Sequence, residues 1–210
     1  MISGNAEQLI QTVVDRYASC RTYRDSGMAF SRDFVIEFET YYVRPDRFSF
    51  RWRSEKFTDE KHIHFEDGKV ELFLQDEHVE IPKLEQALAM ANGSSLLTSS
   101  LLGSLLLPEL VHTRVDFMPK MSYDMAQSEH DGKKFVSLVS NEPNPDFIQK
   151  LSIDIDECAI SEWEQLVKAE HADRIYLQME NFLVSQTEEV LVRDSEIGTR
   201  VIFKHVAFDQ

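Results

Sequence analysis

Apolar residues recur along this chain with two different periods. Between Ala6 and Tyr17, the residues Leu9, Ile10, Val13, Val14 and Tyr17 share one face, with Glu7, Gln11 and Asp15 elsewhere. That spacing predicts a first helix over 6–19, ending near Cys20. The period then drops to two. Phe34, Ile36, Phe38 and Tyr42 alternate with Glu37 and Glu39. After the turn Arg44-Pro45-Asp46, Phe48, Phe50 and Trp52 alternate with Arg47, Ser49, Arg51 and Arg53. This is the pattern of an antiparallel hairpin with one face buried and one wet. Stretches 62–65 and 69–75 flank Asp67-Gly68, a strong hairpin turn, and 78–81 adds a further strand. Pro82 then breaks the sheet pattern.

A stretch without any charge follows, from Gln86 to Pro108, in a chain of which 28% is charged. A helix is predicted over 84–90, with Asn92-Gly93 separating it from a second, Leu-rich helix. Leu97, Leu101 and Leu105 recur at i+4, as do Leu102, Leu106 and Leu110. Ser94 or Ser95 is placed to cap the start, and Pro108 to stop the helix. Each buried Leu contributes roughly 1.5–3 kcal/mol, so this segment belongs under cover. Its hydroxyl residues, Asn92 and acidic flanks place it as a buried helix ahead of a membrane span.

Beyond Val111 the strand pattern resumes, at 121–129 and, after Asp131-Gly132, at 135–139. A loop is expected over 141–145. Leu151, Ile153 and Ile155 then alternate with polar residues. In 160–167, Ser161 and Glu164 resemble a capping box, but the sheet context favours a strand. Ile175, Leu177 and Met179 predict another strand, and 199–208 closes the sheet. The expectation is one α+β domain over 1–210, with sheet over 22–81 and 120–208 and a helical lid over 84–110. Long antiparallel sheets curl, and a curled apolar wall needs filling. The inferred fold is a curved antiparallel sheet, an open half-barrel, with helices covering its concave face.

Composition narrows the function more than it defines it. The net charge of −15 argues against nucleic acid, which needs a basic stripe, and against docking on anionic lipid. Cys20 and Cys158 are as readily two free thiols as a pair. His62 and His64 share a strand face, but no third metal ligand is near them. Asp154, Asp156 and Glu157 lack the spacing of a calcium loop and read as solvated carboxylates. No serine stands in a nucleophile elbow, and Gly93 and Gly103 form no phosphate loop. No catalytic residues, metal ligands or cofactor motif are therefore assigned. For a lipid hydrolase, the weakest reading, His112 beside the lid is the residue to check.

The run Arg44-Pro45-Asp46-Arg47-Phe48, followed by an alternating strand and then Asp67-Gly68-Lys69, resembles the periplasmic lipoprotein carriers of the LolA/LolB type. Thr22-Tyr23-Arg24-Asp25-Ser26-Gly27 after a first helix, Ile153-Asp154 in a later strand and the final strand ending in Phe208 are similar too. The resemblance follows the order of elements over most of the chain. It implies an open half-barrel whose helical lid covers a hydrophobic cavity that receives acyl chains, and an extracytoplasmic location with a leader removed. It implies that Arg44 latches the lid and that Phe48 begins a cavity-lining strand. The expected ligand-binding set is Phe38, Phe48, Phe50, Trp52, Leu97, Leu101 and Leu105. As plain core, the aromatic members of this set would look the same in the sequence. The acidity of the chain departs from the carriers, as does its Leu- and Ser-rich lid. Expected partners are lipid acyl chains or a lipidated protein, with an envelope protein also possible and the chain itself monomeric. The rival reading is an envelope sensor or interaction module whose cavity is filled by its own helix.

Overall fold

The computed structural model describes residues 6–31, 34–54, 57–74, 77–111, 123–140, 147–168 and 196–209. Within them the order is α1 (Ala6–Ser19), β1 (Thr22–Phe30), β2 (Val35–Val43), β3 (Arg47–Ser54), β4 (Phe57–Glu66), β5 (Lys69–Leu74), β6 (Glu77–Ile81), α2 (Leu84–Ser95), α3 (Thr98–Leu106), β7 (Tyr123–His130), β8 (Lys133–Ser140), β9 (Phe147–Asp154), β10 (Ala159–Lys168) and β11 (Glu196–Phe208). The strands form one antiparallel sheet in the spatial order β6-β5-β4-β3-β2-β1-β11-β10-β9-β8-β7. Strand β1 is its midline. The two edges are not hydrogen-bonded to each other, so the barrel stays open.

The alternation seen in the sequence sets which face is which. Ile36, Phe38 and Tyr42 of β2, Phe48, Phe50 and Trp52 of β3, Ile63 and Phe65 of β4, and Val70 and Leu72 of β5 are all buried. Their neighbours Glu37, Glu39, Arg47, Arg51 and Arg53 are exposed. The second arm repeats the pattern with Val136, Leu138, Leu151, Ile153, Trp163 and Val201. One hydrophobic cluster joins this inner wall to the helices.

The topology makes the lid unavoidable. Strands β6 and β7 are consecutive in the chain but lie at opposite edges of the sheet. Ten inter-strand gaps make that sheet roughly 50 Å across if flat, so the link between its edges has to travel over a face. The inner face is apolar and has to be covered. Helix α2 lies on β4, β5 and β6, α3 packs on α1 and α2, and α1 reaches β10 and β7.

The lid differs in detail from its sequence pattern. Helix α2 runs through Asn92-Gly93, and the break falls at Leu96-Leu97. Both leucines are left-handed, with φ of 52° and 62°. The Leu97 N–H bonds back to the Asn92 carbonyl at 3.0 Å. Neither serine caps α3: Leu97 is its N-cap and makes no side-chain cap bond. Ser95 Oγ lies 2.8 Å from Ser99 Oγ, and Ser94 Oγ donates to the Ala91 carbonyl. Leu110 is outside the helix and exposed, because Pro108 ends α3 at Leu106. Asp154 is not a solvated carboxylate. It is buried and accepts N–H bonds from Asp156 and Glu157 and a bond from Lys133 Nζ at 3.2 Å, shaping the β9–β10 turn. Cys20 and Cys158 are both free thiols. The expected strand around Ile175, the 141–145 loop and His112 lie outside the described residues.

Candidate functional site

The concave wall is built from the alternate residues of β2 and β3. Cross-strand register sets Phe38 opposite Trp52, Thr40 opposite Phe50 and Tyr42 opposite Phe48. The rings contact one another, with Phe38 and Phe50 centroids 5.9 Å apart and Phe50 and Trp52 5.4 Å apart. Phe38, Phe48, Phe50 and Trp52 are at most 2% exposed, and Leu101 and Leu105 at most 3%. Leu97 is only partly buried, packed against the edge of this cluster. Six of the seven expected ligand-facing residues are thus fully interior, and Leu97 stands at the turn that joins the two lid helices.

Helix α3 is covered on almost every side. Thr98, Ser99, Ser100, Leu101, Leu102, Gly103, Leu105 and Leu106 are all buried. Such a helix cannot rest against one flat surface; it needs a concavity. Gly103 allows the approach to α2, since a Cβ there would sit 2.6 Å from Leu88 Cδ1. Ser100 Oγ donates to Asn92 Oδ1 at 2.6 Å, tying the start of α3 to α2.

The far end of α3 meets Arg44. This side chain leaves the β2–β3 turn and donates from Nε to the Cys20 carbonyl at 3.1 Å and from NH2 to the Ala18 carbonyl. The same NH2 reaches the Leu106 carbonyl at 3.4 Å, and NH1 lies 3.5 Å from Glu109 Oε1. One guanidinium therefore spans the carbonyl end of α1, the carbonyl end of α3 and a side chain just beyond it. Helix C-termini offer unpaired carbonyls, and a planar fork of donors suits them. Arg44 also lies over the Tyr42 ring at 5.6 Å. Burial pushes Tyr42 up to about 12, against the pull of the Arg44 charge.

One wall residue went unread in the sequence. Asp25 of β1 points inward and is 3% exposed. Tyr23 Oη donates to Asp25 Oδ2 at 2.6 Å. Burial is the largest influence on this carboxyl and pushes it up to about 7, opposed by Tyr23 and Thr40. Thr40 is its cross-strand partner. Tyr17 of α1 packs on Tyr23, ring centroids 5.2 Å apart, and its Oη accepts the Ile160 N–H. The signal was present as the phase Tyr23, Asp25, Gly27, Ala29, but with two of four positions polar or bare it does not announce a buried strand.

The outer face carries different chemistry. His62 Nε2 lies 2.8 Å from Ser49 Oγ, while His64 pairs with Glu66 at 3.3 Å. Burial, then Arg51 and His64, hold His62 down to about 4. Phe73 stacks between His62 and His78. Among the described residues no group of three His, Cys, Asp or Glu is placed to hold a metal. A groove of about 300 Å3 crosses this face, and its mixture of Glu37, Glu39, Arg51, Arg53 and Lys204 points to no single ligand class.

An open antiparallel half-barrel with a helical lid defines the class of fold. It is the fold expected from the resemblance to the lipoprotein carriers, and solved structures share it. A crystal structure of MucB aligns with 96% of this chain and 58% of its own, at 11% identity and a TM-score of 0.53. The Pseudomonas aeruginosa MucA/MucB complex aligns with 98% of this chain at 10% identity and a TM-score of 0.51. The chain thus spans less than two thirds of the MucB chain. A LolA superfamily protein from Nitrosomonas europaea aligns over 99% of this chain and 95% of its own, at 9% identity and a TM-score of 0.35. No protein-family model and no curated protein matches the sequence. No described helix is long and apolar enough to cross a membrane.

Proposed function

We propose that this chain is a non-catalytic, extracytoplasmic binding protein that holds an acyl chain, a lipid or a lipidated protein between its curved sheet and its Leu-rich lid. The observation that carries the reading is α3, a charge-free helix buried around nearly its whole circumference. A helix of that kind is exchangeable for an apolar ligand, since Leu side chains and methylene chains satisfy the same wall at ~0.8 kcal/mol per methylene. Phe38, Phe48, Phe50, Trp52, Leu97, Leu101 and Leu105 are the residues an acyl chain would touch, and Arg44 is the latch. Few polar bonds tie down α3, and the guanidinium at its end makes two of the lid contacts at 3.4–3.5 Å. These are long enough to yield.

The test is saturable binding of a fluorescent fatty acid, together with native mass spectrometry of gently purified protein for bound lipid. We expect binding at one site, and Arg44→Leu to speed uptake and change affinity severalfold. Wild-type protein that binds no apolar probe would overturn the carrier reading. Unchanged uptake in Arg44→Leu would overturn the latch alone.

A second reading has its own support. The inner aromatics are already packed against one another, and MucB, which shares the fold, has been solved in complex with MucA. On that reading the lid is permanent filling and the chain is an interaction module that recognises an envelope protein. Absence of lipid exchange combined with capture of one defined protein partner would favour it.

A further inference from the structure

We propose that Asp25 and Thr40 form a polar anchor in the concave wall for the head group of a single-chain amphiphile, one whose head donates hydrogen bonds, such as an alcohol or an amine. This deepens the acyl-ligand reading above and rests on it.

Asp25 and Thr40 are direct cross-strand partners on β1 and β2. They are 3% and 1% exposed. Thr40 lies close enough to favour the ionised Asp25 carboxyl, but neither Asp25 Oδ1 nor Thr40 Oγ1 makes a hydrogen bond of full geometry with a described residue. The opposite Asp25 oxygen is engaged by Tyr23, so the carboxyl is oriented with its free oxygen available. Along the same cross-strand row the next residues are Phe50, Ile63 and Leu72, all buried. One polar pair therefore stands at the end of a continuous apolar row. Four more unpartnered atoms come from the wall and the lid, Tyr42 Oη, Trp52 Nε1, Thr98 Oγ1 and Trp163 Nε1.

A purely structural role explains this poorly. A buried acceptor without a donor destabilises the fold, whereas an apolar residue of similar shape would not. Local rules broken inside an otherwise consistent core mark functional positions. The chemistry of the free atoms selects the ligand. A carboxylate oxygen accepts only, and it repels another carboxylate. The wall would thus accept an ammonium or hydroxyl head, and discriminate against a fatty acid of the same chain length.

The experiment compares decylamine, decanol and decanoate as competitors of a bound fluorescent apolar probe, at a pH about one unit above the neutral point where Asp25 is ionised. Wild type should bind decylamine and decanol at least about tenfold more tightly than decanoate. Asp25→Asn should remove most of that preference while decanoate binding is kept or improved. Thr40→Val should weaken decanol and leave decanoate unchanged, and it carries the same test where the Asp25 variant does not fold. If wild type binds all three equally, or the preference survives Asp25→Asn, the anchor is overturned and the pair holds internal water only. If wild type binds none of them, the anchor falls together with the acyl-ligand reading.

Discussion

Asp25 and His62 face opposite sides of the same wall and titrate in opposite senses. Asp25 is pushed up to about 7 by burial, with Glu39 adding to the shift. In the unfolded chain an aspartate titrates at about 4. Between those values the folded state keeps a proton that the unfolded state has released. Asp25 therefore stabilises the fold fully below about pH 4, and that contribution is lost as pH rises to about 7, at up to about 1.4 kcal/mol per pH unit. His62 is held down to about 4 by burial, Arg51 and His64, against about 6.5 when unfolded. In that window the unfolded state holds the extra proton, so stability gained from His62 rises with pH. The two trends oppose each other in the wild type. Urea midpoints across this range should rise with pH in Asp25→Asn and fall with pH in His62→Gln. Identical profiles for both variants would contradict the burial of one group or the other. At this scale β3 was legible, because large apolar and polar residues alternate without exception from Arg47 to Arg53. Asp25 was not, because a charge at an inward position reads as an outward one until the strand around it is known.

Two glycines separate cheap from expensive packing at the level of elements. Gly27 lies in β1 where the register with β11 shifts, Ser26 facing His205 and Gly27 facing Phe203. A Cβ on Gly27 would fall 2.3 Å from the Ile202 carbonyl oxygen and 2.5 Å from Phe38 Cζ. A carbonyl fixed in a ladder cannot move aside, so Gly27→Ala should cost about 2–3 kcal/mol. Gly103 meets only the end of the Leu88 side chain, which can rotate, and alanine gains about 1 kcal/mol of helix propensity. Gly103→Ala should therefore stay within about 1 kcal/mol of wild type. Urea unfolding of both variants measures the contrast, and equal costs would show that the α2–α3 approach is as rigid as the sheet. The same helices show where sequence patterning runs out. Asn92-Gly93 carries the usual signature of a helix end, yet the chain turns at Leu96-Leu97. A left-handed non-glycine residue costs roughly 1–2 kcal/mol. Burying Leu96 returns a similar amount, and turning there lets Gly103 meet Leu88. That balance depends on the partner helix and cannot be seen in the local sequence.

For the molecule as a whole, the lid is a bridge between two arms that meet at the β1–β11 pair. The chain's two tryptophans, Trp52 and Trp163, stand one on each arm, both buried in the hydrophobic cluster that joins the sheet to the helices. They therefore report on the lid from both sides. Arg44 joins the carbonyl ends of α1 and α3 through main-chain acceptors, whereas its contact with Glu109 is a half-exposed ion pair. Charge-assisted bonds to partly buried carbonyls contribute about 1.5–3 kcal/mol, and an exposed pair about 0–1 kcal/mol. Removing the guanidinium should loosen the helical layer where removing the Glu109 charge does not. The expected outcome is that Arg44→Leu raises acrylamide quenching of both tryptophans and red-shifts their emission, with the far-ultraviolet circular dichroism unchanged. Glu109→Gln should match wild type in each measurement. If the two variants behave alike, the lid is held by apolar packing alone, and α3 is a fixed part of the core instead of an element that gives way to a ligand.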